Sequence, residues 1–177
     1  MVASYEWFSP TRITGLTAYT CAMVACAVES VKCRRAGVPF RVFTILTGIQ
    51  FVLLLDMAFD WRWKIHEFWM REALDLKLYD QRRPPQLLAL AALGLILVLG
   101  CVLVWRQFRQ RPGVSLALTG SLFSVELWCC ECLSYHFVDV VLYRTVGKLM
   151  AITLVWIGLA AVTCLGAWID GREIKPI

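Results

Sequence analysis

Residues Val125 to Asp139 read V-E-L-W-C-C-E-C-L-S-Y-H-F-V-D and place several chemically versatile side chains at the end of an otherwise apolar stretch. At about 100° per residue on a helix, Cys129, Cys132 and His136 fall within an arc of about 60°; Glu126 lies about 60° from Cys129, and Glu131 points nearly opposite. Two thiols and an imidazole on one face suit a soft or borderline metal ion, with Glu126, Asp139 or His66 as the candidate fourth ligand. Glu126 stands well inside the apolar stretch. There a carboxylate costs on the order of 2.5 to 3.5 kcal/mol on insertion scales, against about 0.5 gained per leucine. It therefore needs a proton, a water-lined cavity or a polar partner on another helix. A neutral Glu126 bonded across a bundle meets that need without any function.

The same cysteines form C-x-x-C, a spacing used in thiol redox chemistry. The pair resembles that of quinone-using, disulfide-forming membrane enzymes. The resemblance is limited to those two residues, because the loops expected on the same side lack the second cysteine pair such enzymes use. His66 and His136 are the chain's two histidines. Approaching from different helices they could ligate a b-type haem, whereas Glu67 and Asp139 beside them suit a surface site made of His66, Glu67 and Asp139. Asp56, four residues before Asp60, and Glu29, close to Lys32 and Cys33, sit near the ends of apolar stretches. From there they can reach water, or together with Glu126 mark a proton or cation path. Lys32-Cys33-Arg34-Arg35 is a weak acylation cue.

The elements that must position these groups are helices in lipid. The chain has 177 residues, 59% of them apolar, and a mean hydropathy of +0.65, above the roughly 45 to 50% apolar content of soluble domains. Leu87 to Val104 runs without a charge, an amide or a hydroxyl, long enough for a hydrocarbon core of about 30 Å. Predicted spans are 13–31, 42–59, 87–104, 114–133 and 149–168. The first is the most doubtful, with Thr14, Thr17, Thr20, Glu29 and Ser30, although such hydroxyls can bond back to their own helix. Between the second and third spans, Trp61, Ile65, Phe68, Trp69, Ala73 and Leu76 recur on one face. That pattern predicts an amphipathic interfacial helix over 61–79 that stops before Pro84 and Pro85. The expected fold is an all-α integral membrane protein: a bundle of four to five transmembrane helices with one interfacial helix, as a single domain over 1–177.

Met1 to Pro10 carries Glu6 and aromatic residues instead of a basic start and a short apolar run, so the first helix is expected to be retained. Lysines and arginines divide equally between the two loop sets. The short, acid-free stretches Lys32 to Arg41 and Arg106 to Arg111 favour a cytoplasmic C-terminus and an outside N-terminus, in a plasma or inner membrane. Five of the eight cysteines (Cys21, Cys26, Cys101, Cys130 and Cys164) lie within apolar stretches as small hydrophobes, so no disulfide scaffold is implied. The net charge of +5 comes from loops beside the bilayer, and nucleic acid is not an expected partner. Phosphate-loop, nucleophile-elbow and H-E-x-x-H motifs are missing.

Three functional readings remain open. The leading one is a non-catalytic subunit, assembly factor or scaffold, partnered by the bilayer and by other membrane subunits or copies of itself. The second is a redox or cofactor module (metal, haem or quinone) on the fourth span, and the third a small proton-coupled transporter using Asp56 and Glu126.

Overall fold

The computed structural model describes residues 9–75, 83–133, 136–147 and 149–173. Seven helices and one short hairpin follow in order: α1 Pro10–Arg35, α2 Arg41–Phe59, α3 Trp61–Asp75, α4 Arg83–Gln107, α5 Pro112–Leu133, α6 His136–Leu142, β1 Thr145–Val146, β2 Leu149–Met150 and α7 Ala151–Glu173. Five of the helices, α1, α2, α4, α5 and α7, are long and apolar enough to cross a membrane. The first stretch, doubtful by its threonines, is among them. Thr14 and Thr17 donate to the carbonyls of Pro10 and Ile13, four residues back, so their hydroxyls are satisfied within the helix.

Local chemistry sets the ends. Ser9 caps α1, its Oγ accepting from the Arg12 amide, and Pro10 occupies the first turn, where a missing N–H costs nothing. Gly37, at φ 68°, supplies the left-handed residue just past α1 that ends the helix. α2 ends on Asp60, a non-glycine residue at φ 56° whose amide bonds back to the Asp56 carbonyl at 2.7 Å. The last predicted span differs at its start. Leu149 and Met150 pair with Val146 and Thr145 across a turn that places Gly147 at φ 66°, so α7 begins only at Ala151. Of the interfacial helix expected over 61–79, α3 accounts for residues up to Asp75; residues 76–79 lie outside the described residues.

Side-chain contacts define two ends of the molecule. Arg12 at the start of α1 meets Ala58 and Asp60 at the end of α2. Gln86 at the start of α4 donates to the Leu133 carbonyl at the end of α5. Cys33 and Arg111, at the end of α1 and just before α5, meet Asp170 at the end of α7. Starts of α1, α4 and α7 thus share one end, here the N face, with the ends of α2 and α5; the opposite end is the C face.

α1, α2, α5 and α7 form the bundle, while α4 packs chiefly on α5. Two apolar clusters fill the interior. One, nearer the N face, includes Tyr19, Leu53, Met57, Ile152 and Trp156; the other, nearer the C face, includes Cys26, Phe43, Leu46, Val114 and Ala117. Between them Gln50 donates to Ser121 at 3.0 Å, joining α2 to α5. The closest approach is between α5 and α7, where Gly113, Ala117 and Gly120 face Thr163, Gly166 and Asp170. A Cβ on Gly166 would collide with the Ala117 backbone nitrogen and the Gly113 carbonyl, so the contact exists only because that atom is missing.

α3 turns its apolar side away from the protein. Trp61, Phe68 and Trp69 are exposed, Trp69 by 64%, whereas Arg62 is buried at 4%.

Gly166→Leu should destabilise the protein by more than about 1–3 kcal/mol, the cost of overpacking where backbone must move. Gly158→Leu, in open space, should leave it unchanged. Heating in detergent followed by size-exclusion chromatography distinguishes the two.

Candidate functional site

The densest polar cluster lies at the N face, around Arg62. The left-handed turn at Asp60 sends α3 off from α2 so that Arg62 folds back under the bundle. Its amide donates to Asp56 Oδ1 at 2.8 Å. Its Nε lies 3.0 Å from Asp56 Oδ2, and its Nη1 lies 2.7 Å from Glu131 Oε2 on α5. Nη2 donates to Met57 Sδ at 3.2 Å, and the guanidinium carbon sits 5.4 Å from the centre of the Trp156 ring on α7. Tyr143, after α6, donates its hydroxyl to Glu131 Oε1 at 2.9 Å. One guanidinium thus gathers α2, α3, α5 and α7.

Burial pulls the Arg62 guanidinium down, but Glu131 first and then Asp56 outweigh it and hold the group above arginine's ordinary value. A raised folded-state value means that the stability it contributes is present at every pH below arginine's ordinary range, and would be lost only as pH rises through the raised value. Arg12, 2% exposed, forms the neighbouring pair with Asp60 at 3.0 Å and closes α1 onto the end of α2.

The C face holds a second buried cluster. Arg111 grips both oxygens of Asp170, with Nε 3.1 Å from Oδ1 and Nη2 on Oδ2, and Nη1 donates to the Pro39 carbonyl at 3.3 Å. Its own value is raised, chiefly by that bond to Asp170, with burial opposing. Cys33 Sγ lies 3.7 Å from Glu29 Oε1 and 3.9 Å from Asp170 Oδ2. Among the described residues, Glu29, Cys33 and Asp170 are the set of acidic and thiol groups whose ligand atoms gather within 4.8 Å of one another. Cys33 has no exposed surface, so the basic stretch around it does not present this thiol for acylation.

The residues singled out by sequence divide unequally. Asp56 joins the Arg62 cluster. The α5 carboxylate that meets Arg62, however, is Glu131, not Glu126. Glu126 is half-buried and has no hydrogen-bond or ion-pair partner among the described residues. Cys129 and Cys132 line an apolar groove of about 490 Å³ between α3, α4 and α5, with Ile65, Ala92, Ile96 and Trp128. All eight cysteines are free thiols. The His136 side chain lies outside the described residues, although its backbone starts α6. His66 is half-buried and meets Trp63 edge-on at 6.2 Å. Glu67 is exposed and pairs with Arg71 at 3.6 Å, and Asp139 is half-buried, its carbonyl accepting from the Tyr143 amide.

Sequence reasoning missed Arg62, Glu131, Tyr143, Arg111 and Asp170. The available signal for Arg62 was an arginine two residues past an apolar helix that ends in Asp56 and Asp60. Nothing on α5 alone favoured Glu131 over Glu126.

Arg62→Met should cost about 3–5 kcal/mol, because Asp56 and Glu131 would remain buried and uncompensated. Replacing all three by apolar residues (Arg62→Met, Asp56→Leu, Glu131→Leu) should recover most of the loss. Thermal unfolding in detergent, followed by tryptophan fluorescence, measures both.

Comparison with protein-family models, with curated proteins and with solved structures finds no match to this chain.

Proposed function

We propose that this chain is a multi-pass membrane protein that serves as a non-catalytic subunit, assembly factor or scaffold of a larger membrane complex. The observation that carries the reading is α4. It is the most apolar of the five long helices, yet none of its residues is buried within the chain. Leu88, Leu95, Ile96 and Leu103 are each at least 60% exposed, and Gly94 opens onto empty space. Lipid covers such a surface without penalty. In lipid, helix association rests on close van der Waals approach, which a small residue on an open face permits. The charges at the centre of the N-face cluster support the same reading, because they contact one another inside the bundle instead of lining an open path.

A second reading, a module for an apolar cofactor, is favoured by the groove beside Cys129 and Cys132, whose walls suit an isoprenoid or acyl tail. In either case α3 lies at the bilayer surface with Trp61 and Trp69 at headgroup depth. The N face is outside and the C face, with Lys32, Arg34, Arg35 and Arg109, is cytoplasmic.

A photo-crosslinking residue at Leu95 or Val98 of α4 should yield an adduct with another protein in native membranes, and one at Leu154 of α7 should not. Recovery of an unmodified chain that is active by itself in mild detergent would refute the subunit reading. Cysteine-accessibility labelling provides the topology test. A cysteine at Lys64 should react with an impermeant maleimide in intact cells and one at Arg109 only after permeabilisation; the reverse pattern would invert the orientation.

A further inference from the structure

The two polar clusters differ in how well their carboxylates are compensated. At the N face, Asp56 and Glu131 each have a guanidinium nitrogen within 3.0 Å. At the C face, Glu29 is 2% exposed, but its nearest cation is Lys32 Nζ at 3.6 Å, on a side chain that is 56% exposed. Among the described residues that lysine, held at ion-pair distance, is the one cation against it. Its hydrogen-bond partner is the Cys33 thiol at 3.7 Å. That thiol has one proton and faces two carboxylates, so it can serve only one of them. The space is held open for Glu29, since a Cβ on Gly171 would strike Glu29 Oε2. Because that lysine is exposed and lies no closer than 3.6 Å, the buried Glu29 keeps lone pairs for a cation that approaches more closely.

The geometry points to a divalent metal site of the zinc class formed by Glu29, Cys33 and Asp170. Ligand bonds of about 2.0–2.3 Å in a tetrahedral shell separate the donor atoms by roughly 3.3–3.8 Å. Cys33 Sγ stands 3.7 Å from Glu29 Oε1 and 3.9 Å from Asp170 Oδ2, and all three ligand atoms lie within 4.8 Å of one another. The two thiol-to-carboxylate separations already match that shell, and drawing the two carboxylate oxygens together completes three corners of it, with a water in the fourth.

The chemistry of the donor set selects the ion. A thiolate with two carboxylates suits zinc better than magnesium or calcium, which take oxygen ligands. Binding releases the thiol proton to solvent and leaves a dication against three anionic ligands, an excess of one negative charge that Arg111 and Lys32 beside them offset. Arg111 Nη2, which rests on Asp170 Oδ2 and on Cys33 Sγ at 3.8 Å, gives up both, while Nε keeps Oδ1 as the outer partner that orients a ligating carboxylate. Entry is from the C face, where Arg111 and Lys32 reach solvent.

The full chain, purified in detergent and stripped with a chelator, is titrated with Co²⁺ alone. The expected result is one ion per chain, with visible d–d bands of a tetrahedral ion and a near-ultraviolet thiolate-to-cobalt band, both erased by added Zn²⁺. Cys33→Ser should abolish the thiolate band, and Glu29→Gln or Asp170→Asn should weaken affinity by about tenfold or more. Cys129→Ser/Cys132→Ser should change nothing. Absence of the thiolate band in the unmodified chain overturns the site, as does a band that survives Cys33→Ser or disappears with Cys129→Ser/Cys132→Ser. Glu29→Gln changes no volume, so it tests the site even if Cys33→Ser misfolds.

Discussion

Burying a guanidinium in an apolar interior is tolerable only where the counter-charges are already in place, and Arg62 imposes that condition on four helices at once. Asp56 must sit one turn before the end of α2, Glu131 must reach across from the end of α5, and Trp156 must lie beneath on α7. Asp60 adopts a left-handed conformation that L-residues otherwise avoid, and the reversal it produces brings the Arg62 amide to Asp56 as well. The strain of one residue is thus offset by two contacts to the same carboxylate. Removing Arg62 leaves two buried carboxylates with no cation between them, so the cluster fixes relative helix positions more than it adds to net stability.

Between the two faces the bundle is held by shape. Gly113, Gly120 and Gly166 let α5 and α7 approach at backbone distance, which in lipid replaces the hydrophobic effect as the source of helix association. Charge therefore sets register at the ends and small residues set separation in the middle. α4 takes part in neither device. It touches mainly α5 and presents its leucines and isoleucines outward.

Composition and run length made the helical class legible, because a hydrocarbon core imposes a length that few other structures need. The interior of the bundle was far less legible. A helical projection of α5 compares residues on one helix, and there Glu126, deeper in the apolar run, looks the more costly acid. The group that neutralises Glu131 lies on α3, and no single-helix pattern reveals it. Arg62 was hidden for the opposite reason: on an amphipathic helix a cation off the apolar face reads as solvated, and here that face is the one turned to protein. Gly147 and the two-residue strands escaped notice because Leu149 and Met150 are as apolar as the helix that follows them.

The position of Glu131 also bears on how the chain is made. The partner that completes the Arg62 pair belongs to the fourth long helix, 69 residues downstream. When α3 emerges from the ribosome, Asp56 is present but Glu131 has not been synthesised. Until residues 112–133 are made, Arg62 has Asp56 to pair with but not Glu131. The contact that ties α3 to α5 can therefore form only after α5 has been synthesised, which makes the docking of α3 depend on sequence far downstream of it.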